Sequence, residues 1–291
     1  MPELPEVQAL VDFLDARMAG LAVASVELAS VAVLKTYDPP PQALAGLIVE
    51  EVRRHGKFLD VDCDGLHLVF HLARAGWVRW SDELPERPPR PGRARGGGTA
   101  VALRVRLSDG SGFDLTEAGT RKGLAAYIVS DPTEVPGVAA LGPDPLGRDF
   151  TREWFGELLR GTNQQVKRLL RDQGAIAGIG NAYSDEILHA ARLSPFAISS
   201  RLDEATVDRL YDCLRGTLSK AVLAASGRPA AELKDAKRAG MAVHGRTGEA
   251  CPVCGDVVRE VSFADSSLQY CATCQTGGKP LADRRTSRFV K

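Results

Sequence analysis

Net charge is the first thing this sequence lacks. Its 291 residues carry 37 Lys and Arg against 37 Asp and Glu, so overall charge does not advertise a polyanionic partner. Long apolar runs are missing too, since none approaches the roughly 20 residues needed to span a bilayer. The N-terminus has no basic-then-apolar secretion pattern. These absences point to a cytoplasmic protein with no membrane partner. A content of 44% hydrophobic and 25% charged residues is that of a globular protein, and the length suits about two domains. Charge is unevenly spread. Residues 1–150 hold 16 basic and 21 acidic side chains and residues 151–291 hold 21 and 16, so the second half is mildly basic. That balance is compatible with a polyanion and does not require one.

The pattern along the chain changes once. Val7, Leu10, Val11, Leu14 and Met18 recur at helical spacing and Gly20 ends the helix. Short strand-like runs follow at Ala22–Leu34, Ile48–Arg53, Phe58–Cys63, His67–Leu72, Trp77–Trp80, Thr99–Leu107, Gly112–Thr116 and Leu124–Val129. Between them, residues 82–98 are rich in Pro, Arg and Gly and read as a loop. Residues 1–130 therefore predict a β-rich domain with one N-terminal helix, and the Pro/Gly-rich stretch 131–149 predicts a linker. Helical periodicity then appears at Arg152–Leu159, Gln164–Asp172, Asn181–Ala191 and Glu204–Ala225, giving a helical domain over 150–240. A cysteine module spans 246–276 and a basic tail 277–291.

Three groups of residues carry chemistry. The chain opens Met-Pro-Glu-Leu-Pro-Glu. A small residue after Met favours its removal, which would leave Pro2 as a secondary amine beside the carboxyl of Glu3. Such an amine can attack an aldehyde-like carbon to give an iminium, with the carboxyl moving protons. The same residues also suit a plain helix start. Cys251, Cys254, Cys271 and Cys274 form two C-x2-C knuckles, whereas Cys63 and Cys213 stand alone as expected buried thiols. In a cytosolic chain the paired knuckles predict one structural zinc ion, with four thiolates and no open catalytic position. In Gly178-Ile179-Gly180-Asn181, a tight turn opens a helix whose free N–H groups suit a phosphate, although a helical hairpin alone would use the same glycines.

Taken in order, MPELPE, G-I-G-N-x-Y-x-D-E and the four-cysteine finger resemble the formamidopyrimidine-DNA glycosylase/endonuclease VIII family over residues 1 to about 275. The resemblance implies an α+β protein: an N-terminal β-sandwich-like domain with one helix, a helical domain with a helix–two-turn–helix at about 164–191, and a C-terminal zinc finger. It implies a monomeric base-excision enzyme, located with the nucleoid when bound, that acts on damaged double-stranded DNA and needs no organic cofactor. By that resemblance Pro2 is the nucleophile toward C1′ and Glu3 the acid/base, with Glu6 in support. Lys57 matches a strand lysine that approaches phosphate and assists elimination. Lys167 and Asn181 match DNA-facing residues of the helix–two-turn–helix, and His71 matches a histidine near the DNA or a hydrogen-bonded structural one. Base extrusion costs a few kcal/mol, so grips from both domains around a DNA-holding cleft are expected.

Three departures bear on the lesion. His71-Leu72-Ala73-Arg74 carries Arg74 where the family's purine enzymes use a void-filling Met, and Thr120-Arg121-Lys122-Gly123 keeps a basic pair without the family's Phe wedge. Arg74 and Arg121 are therefore expected to meet the orphaned base by stacking or hydrogen bonding. The segment from Ala236 to the finger is short where a base-covering loop would lie, which disfavours 8-oxoguanine as main substrate and favours hydantoins, formamidopyrimidines or oxidised pyrimidines. The stretch before the third cysteine, residues 265–270, holds no Arg, which favours β-elimination over an efficient β,δ-sequence. The expected activity is a bifunctional glycosylase/AP lyase. The alternatives are an AP lyase with weak excision and a non-catalytic damaged-DNA-binding protein.

Overall fold

The computed structural model describes residues 1–89, 100–118, 122–264 and 266–282. Most of the arginine-rich loop expected at 82–98, Arg121 and the end of the basic tail lie outside the described residues. The chain divides into two compact units, Met1–Leu141 with Ala225–Lys234, and Gly142–Ala224 with Asp235–Lys291.

In the first unit, helix α1 (Leu4–Met18) buries Leu10, Leu14 and Met18 completely, as its 3.6-residue period demands. Eight strands follow: β1 (Val23–Leu28), β2 (Val49–His55), β3 (Phe58–Cys63), β4 (Leu66–His71), β5 (Gly76–Ser81), β6 (Ala100–Leu107), β7 (Gly112–Glu117) and β8 (Ala125–Val129). They form two antiparallel four-stranded sheets, ordered β1-β6-β7-β5 and β2-β3-β4-β8. Period-two alternation sends Leu59 and Val61 of β3 and Val105, Phe113 and Leu115 of the other sheet into one core with α1. Phe70 and Phe113, one from each sheet, meet there with ring centroids 5.8 Å apart. Cys63 joins this core, where burial foremost and then the charges of Asp62, Asp64 and Asp60 push its thiol up to about 12. Cys213, expected to be buried like it, is half-buried.

Two expectations are corrected. The strand read over Ala22–Leu34 ends at Leu28, because the Ala29 and Ser30 N–H groups both donate to the Ala102 carbonyl and turn the chain into a 3-10 turn at Val31–Val33. The stretch 131–149 is not a plain linker. Its first part folds as a 3-10 turn at Pro132–Glu134 and a single helical turn, α2 (Pro136–Ala139). Val135 and Val138 of this segment pack on Val69 and Val129 beside Phe58 and Tyr127. Gly137 permits the approach, since a Cβ there would stand 2.6 Å from the Phe58 ring.

The second unit contains α3 (Arg152–Gly161), α4 (Val166–Arg171), α5 (Asn181–Ala190) and most of α6 (Glu204–Ala225), and it resumes within α7 (Leu233–Gly240). The hairpin β9 (Val258–Ser262) and β10 (Ser267–Cys271) follows, closed by α8 (Ala272–Thr276). Thr151 caps α3 by accepting the Trp154 N–H at 3.2 Å. Phe150 stacks on Tyr211 of α6 with centroids 5.9 Å apart. The helix expected at Gln164–Asp172 starts two residues late because Gln165 forms a β-bridge with Ile198. Helix α7 was not anticipated, and the helical domain read as 150–240 is interrupted where Ala225–Lys234 joins the first unit.

Candidate active site and nucleic-acid interface

The head of α1 is a reciprocal cap. Glu6 Oε2 accepts the Glu3 N–H at 2.9 Å, and the Glu3 carboxylate receives the Glu6 N–H in return. Glu6 therefore orients the chain at Glu3, and Glu3 is held beside Pro2. Pro2, Glu3 and Glu6 are all buried, while Met1 is 48% exposed. With Met1 in place the Pro2 nitrogen is an amide, and only its removal uncovers the amine. Helix α1 is tied along β2: Asp15 Oδ1 accepts the Val52 N–H at 2.7 Å, and Gln8 Oε1 accepts from Arg54 Nε at 2.8 Å. Moving from Asp15 to Gln8 advances along β2 toward residues 56–57, so the head of α1 and the β2–β3 turn lie at the same end.

Lys57 occupies that turn. The expectation of a strand lysine is corrected here, since Gly56, at φ +56°, and Lys57 form the two-residue hairpin loop between β2 and β3. Lys57 is nevertheless buried. His71 pairs with Phe58 across β3 and β4, their rings 4.8 Å apart. Burial, and secondarily the nearby Lys57 charge, push the His71 imidazole down to about 4, so it is neutral near pH 7. Its Nδ1 accepts the Ala73 N–H at 3.3 Å, which assigns the remaining proton to Nε2 as a donor. This bond steadies the β4–β5 turn, where Ala73 takes φ +50° and Arg74 stands exposed. Pro2, Glu3, Lys57, His71 and Arg74 thus belong to one unit.

Lys167 and Asn181 belong to the other, and Lys167 is engaged in an ion pair within it. It is buried, and its Nζ donates to Asp185 Oδ1 at 2.6 Å, Ser184 Oγ at 2.7 Å and the Asn181 carbonyl at 3.2 Å. The physical reason is Asp185, fully enclosed in α5, whose second oxygen meets His244 Nδ1 at 2.8 Å. A buried carboxylate needs such a partner. Asn181 opens α5 after Gly178 (φ +86°) and Gly180, as the G-I-G-N motif predicts. Its Nδ2 donates to the Ser267 carbonyl of the finger hairpin at 2.8 Å, and its Oδ1 is buried without a hydrogen bond.

The D-E of the same motif performs a task that sequence reasoning missed. Glu186 accepts the backbone N–H groups of Ala242, Val243 and His244 at 2.7–3.0 Å, and Asp185 accepts that of Gln269 at 3.3 Å. Helix α5 thereby anchors the finger on two adjacent carboxylates, and acidic residues placed just after a G-x-G-N turn were the available signal.

The four finger cysteines converge with all sulfurs within 4.8 Å of one another, Cys254 and Cys271 at 3.4 Å and Cys251 and Cys274 at 3.9 Å. Tetrahedral thiolates about 2.3 Å from zinc would lie roughly 3.8 Å apart, so the donor set fits the ion. The site holds one structural zinc. His189, on α5, places Nε2 3.3 Å from the Cys251 sulfur, a supporting contact the cysteine spacing could not reveal. No other cluster of metal-ligating side chains occurs among the described residues. Nor is any helix among them long and apolar enough to cross a membrane.

A β-sandwich with a buried Pro-Glu head, a helix–two-turn–helix and a zinc finger define a nucleic-acid enzyme class. Family models agree across the chain: the formamidopyrimidine-DNA glycosylase N-terminal domain matches residues 1–123, its H2TH domain 141–230, and the zinc finger found in FPG and IleRS 248–277. The chain belongs to the formamidopyrimidine-DNA glycosylase family, and it is a DNA glycosylase of the kind that also has AP lyase activity. It is 33% identical over 299 residues to the formamidopyrimidine-DNA glycosylase of Symbiobacterium thermophilum, covering 98% of this chain and 93% of that one. It is 55% identical over 156 residues to an uncharacterized formamidopyrimidine-DNA glycosylase-like protein of Mycobacterium tuberculosis, covering 54% and 98%. Its fold matches the Lactococcus lactis formamidopyrimidine-DNA glycosylase bound non-covalently to DNA containing an AP site, with TM-score 0.80, 26% identity and 94% and 99% coverage.

Proposed function

We propose that this enzyme excises oxidised bases from duplex DNA through Pro2 and then cuts the abasic strand by β-elimination. The observation that carries this reading is the reciprocal α1 cap, in which Glu3 and Glu6 fix one another immediately after the buried Pro2. Once Met1 is removed, the amine lone pair attacks C1′ as the bond to the damaged base breaks. Glu3 supplies the proton that opens the sugar ring, leaving an iminium at C1′. Loss of a C2′ proton then expels the 3′ phosphate, and water releases the enzyme. Lys57 and the neutral His71 Nε2–H are suited to meet phosphate oxygens, and Arg74 to contact a base left without its partner. Helix α7 is short, and no long segment separates it from the finger, which favours a lesion other than 8-oxoguanine, such as a hydantoin, a formamidopyrimidine or an oxidised pyrimidine. Borohydride trapping on duplexes with an abasic site or each lesion tests the reading. Pro2→Leu, whose bulk retains Met1, should abolish the adduct, and Glu3→Gln should lose excision while the N-terminal mass shows Met1 removed. An adduct that persists in Pro2→Leu would overturn the mechanism, and trapping on abasic DNA alone would leave an AP lyase with weak excision.

A further inference from the structure

Helix α4 carries two arginines that the chemistry above does not use. Arg168 and Arg171 are exposed, and neither pairs with a carboxylate among the described residues. Their i, i+3 spacing puts their Cβ atoms about 5–6 Å apart on one helix face. Both line a groove of about 490 Å³ whose other wall is the finger hairpin, with Phe263, Ser266 and Leu268. Phe263 is 47% exposed, although aromatic rings ordinarily bury themselves. Asp172 also lines the groove, but its carboxylate accepts the Gly174 N–H at 3.0 Å and closes its own turn. The charge of Lys167 at the same groove is balanced by Asp185.

Two exposed guanidinia and an exposed ring that line one groove call for a ligand with anionic oxygens and a flat face. A nucleotide strand offers both. In duplex DNA each base is already stacked on its neighbours, so only an unpaired base can lie on Phe263. We infer that this groove binds single-stranded DNA, with Arg168 and Arg171 holding phosphates and one unpaired base stacked on Phe263. The inference rests on the reading of the chain as an enzyme acting on DNA. It gives the enzyme a second hold, suited to strands that have lost their pairing.

The test is fluorescence anisotropy of the zinc-loaded full chain with a labelled oligothymidylate over a range of salt, with zinc content and melting midpoint as controls on each variant. Each phosphate contact adds about 0.7 to the log–log salt slope of a single strand, so R168A/R171A should lower the slope by about 1.4. F263A should weaken binding about tenfold with the slope unchanged, and F263Y should bind as the wild type does. Wild-type slope and affinity in both R168A/R171A and F263A, or no binding by the wild type, would overturn the inference. Loss of borohydride trapping with oligothymidylate binding intact would count against the Pro2 mechanism and leave the groove standing.

Discussion

Replacing Lys167 by Met separates two roles for this side chain. In the structure its ammonium is enclosed and bonded to Asp185, Ser184 and the Asn181 carbonyl. Removing one partner of a buried ion pair costs about 3–5 kcal/mol, because the other charge stays buried. Asp185 would keep His244 at 2.8 Å and the Gln269 N–H at 3.3 Å, which places Lys167→Met near the lower end, about 3 kcal/mol. Adding Asp185→Asn removes the stranded charge and should restore at least half of the loss, an interaction a double-mutant cycle measures. Urea unfolding followed by zinc release reads the unit concerned. A Lys167→Met protein within about 0.5 kcal/mol of wild type, with a salt slope for duplex binding reduced by about 0.9, would refute the structural role and return Lys167 to the phosphate-facing place its motif implies.

The remaining predictions concern His71, Glu186 and the zinc centre. Between about pH 4 and pH 6.5 the unfolded chain binds a proton that folded His71 does not, so stability rises with pH through that window and His71→Asn should flatten the rise. The full shift amounts to at most about 3 kcal/mol, and thermal melts across the window measure it. Glu186→Ala leaves three backbone N–H groups at 242–244 without their acceptor and should cost about 3 kcal/mol, with hydrogen exchange at those amides accelerating first. Chelation of zinc should unfold the hairpin β9–β10 while the Trp77 and Trp80 fluorescence of the first unit still reports a cooperative melt. His189→Phe should lower zinc affinity about 10–100-fold in competition with a chelator.

Features carried by short-range spacing were legible in the sequence. The period of Leu10, Leu14 and Met18 specifies α1 and its buried face, the strand runs specify most of the β elements, and two C-x2-C knuckles specify a tetrahedral sulfur site. Gly178 marks the turn that leads into α5, because the chain passes through φ +86° there. Each of these depends on residues within a few positions of one another, or on a ligand geometry that tolerates few alternatives. Partners distant in the chain were decided only by the tertiary structure. The ion pair of a motif lysine is invisible until Asp185, eighteen residues on, is seen to bury with it. A proline-rich linker looks unstructured until Val135 and Val138 find Val69 and Val129 on a sheet face. The groove between α4 and the hairpin joins residues nearly a hundred positions apart, and no local period announces it. The physical reason is common to all three: burial and charge pairing are settled by which surfaces meet, and a periodic pattern states only that a surface exists.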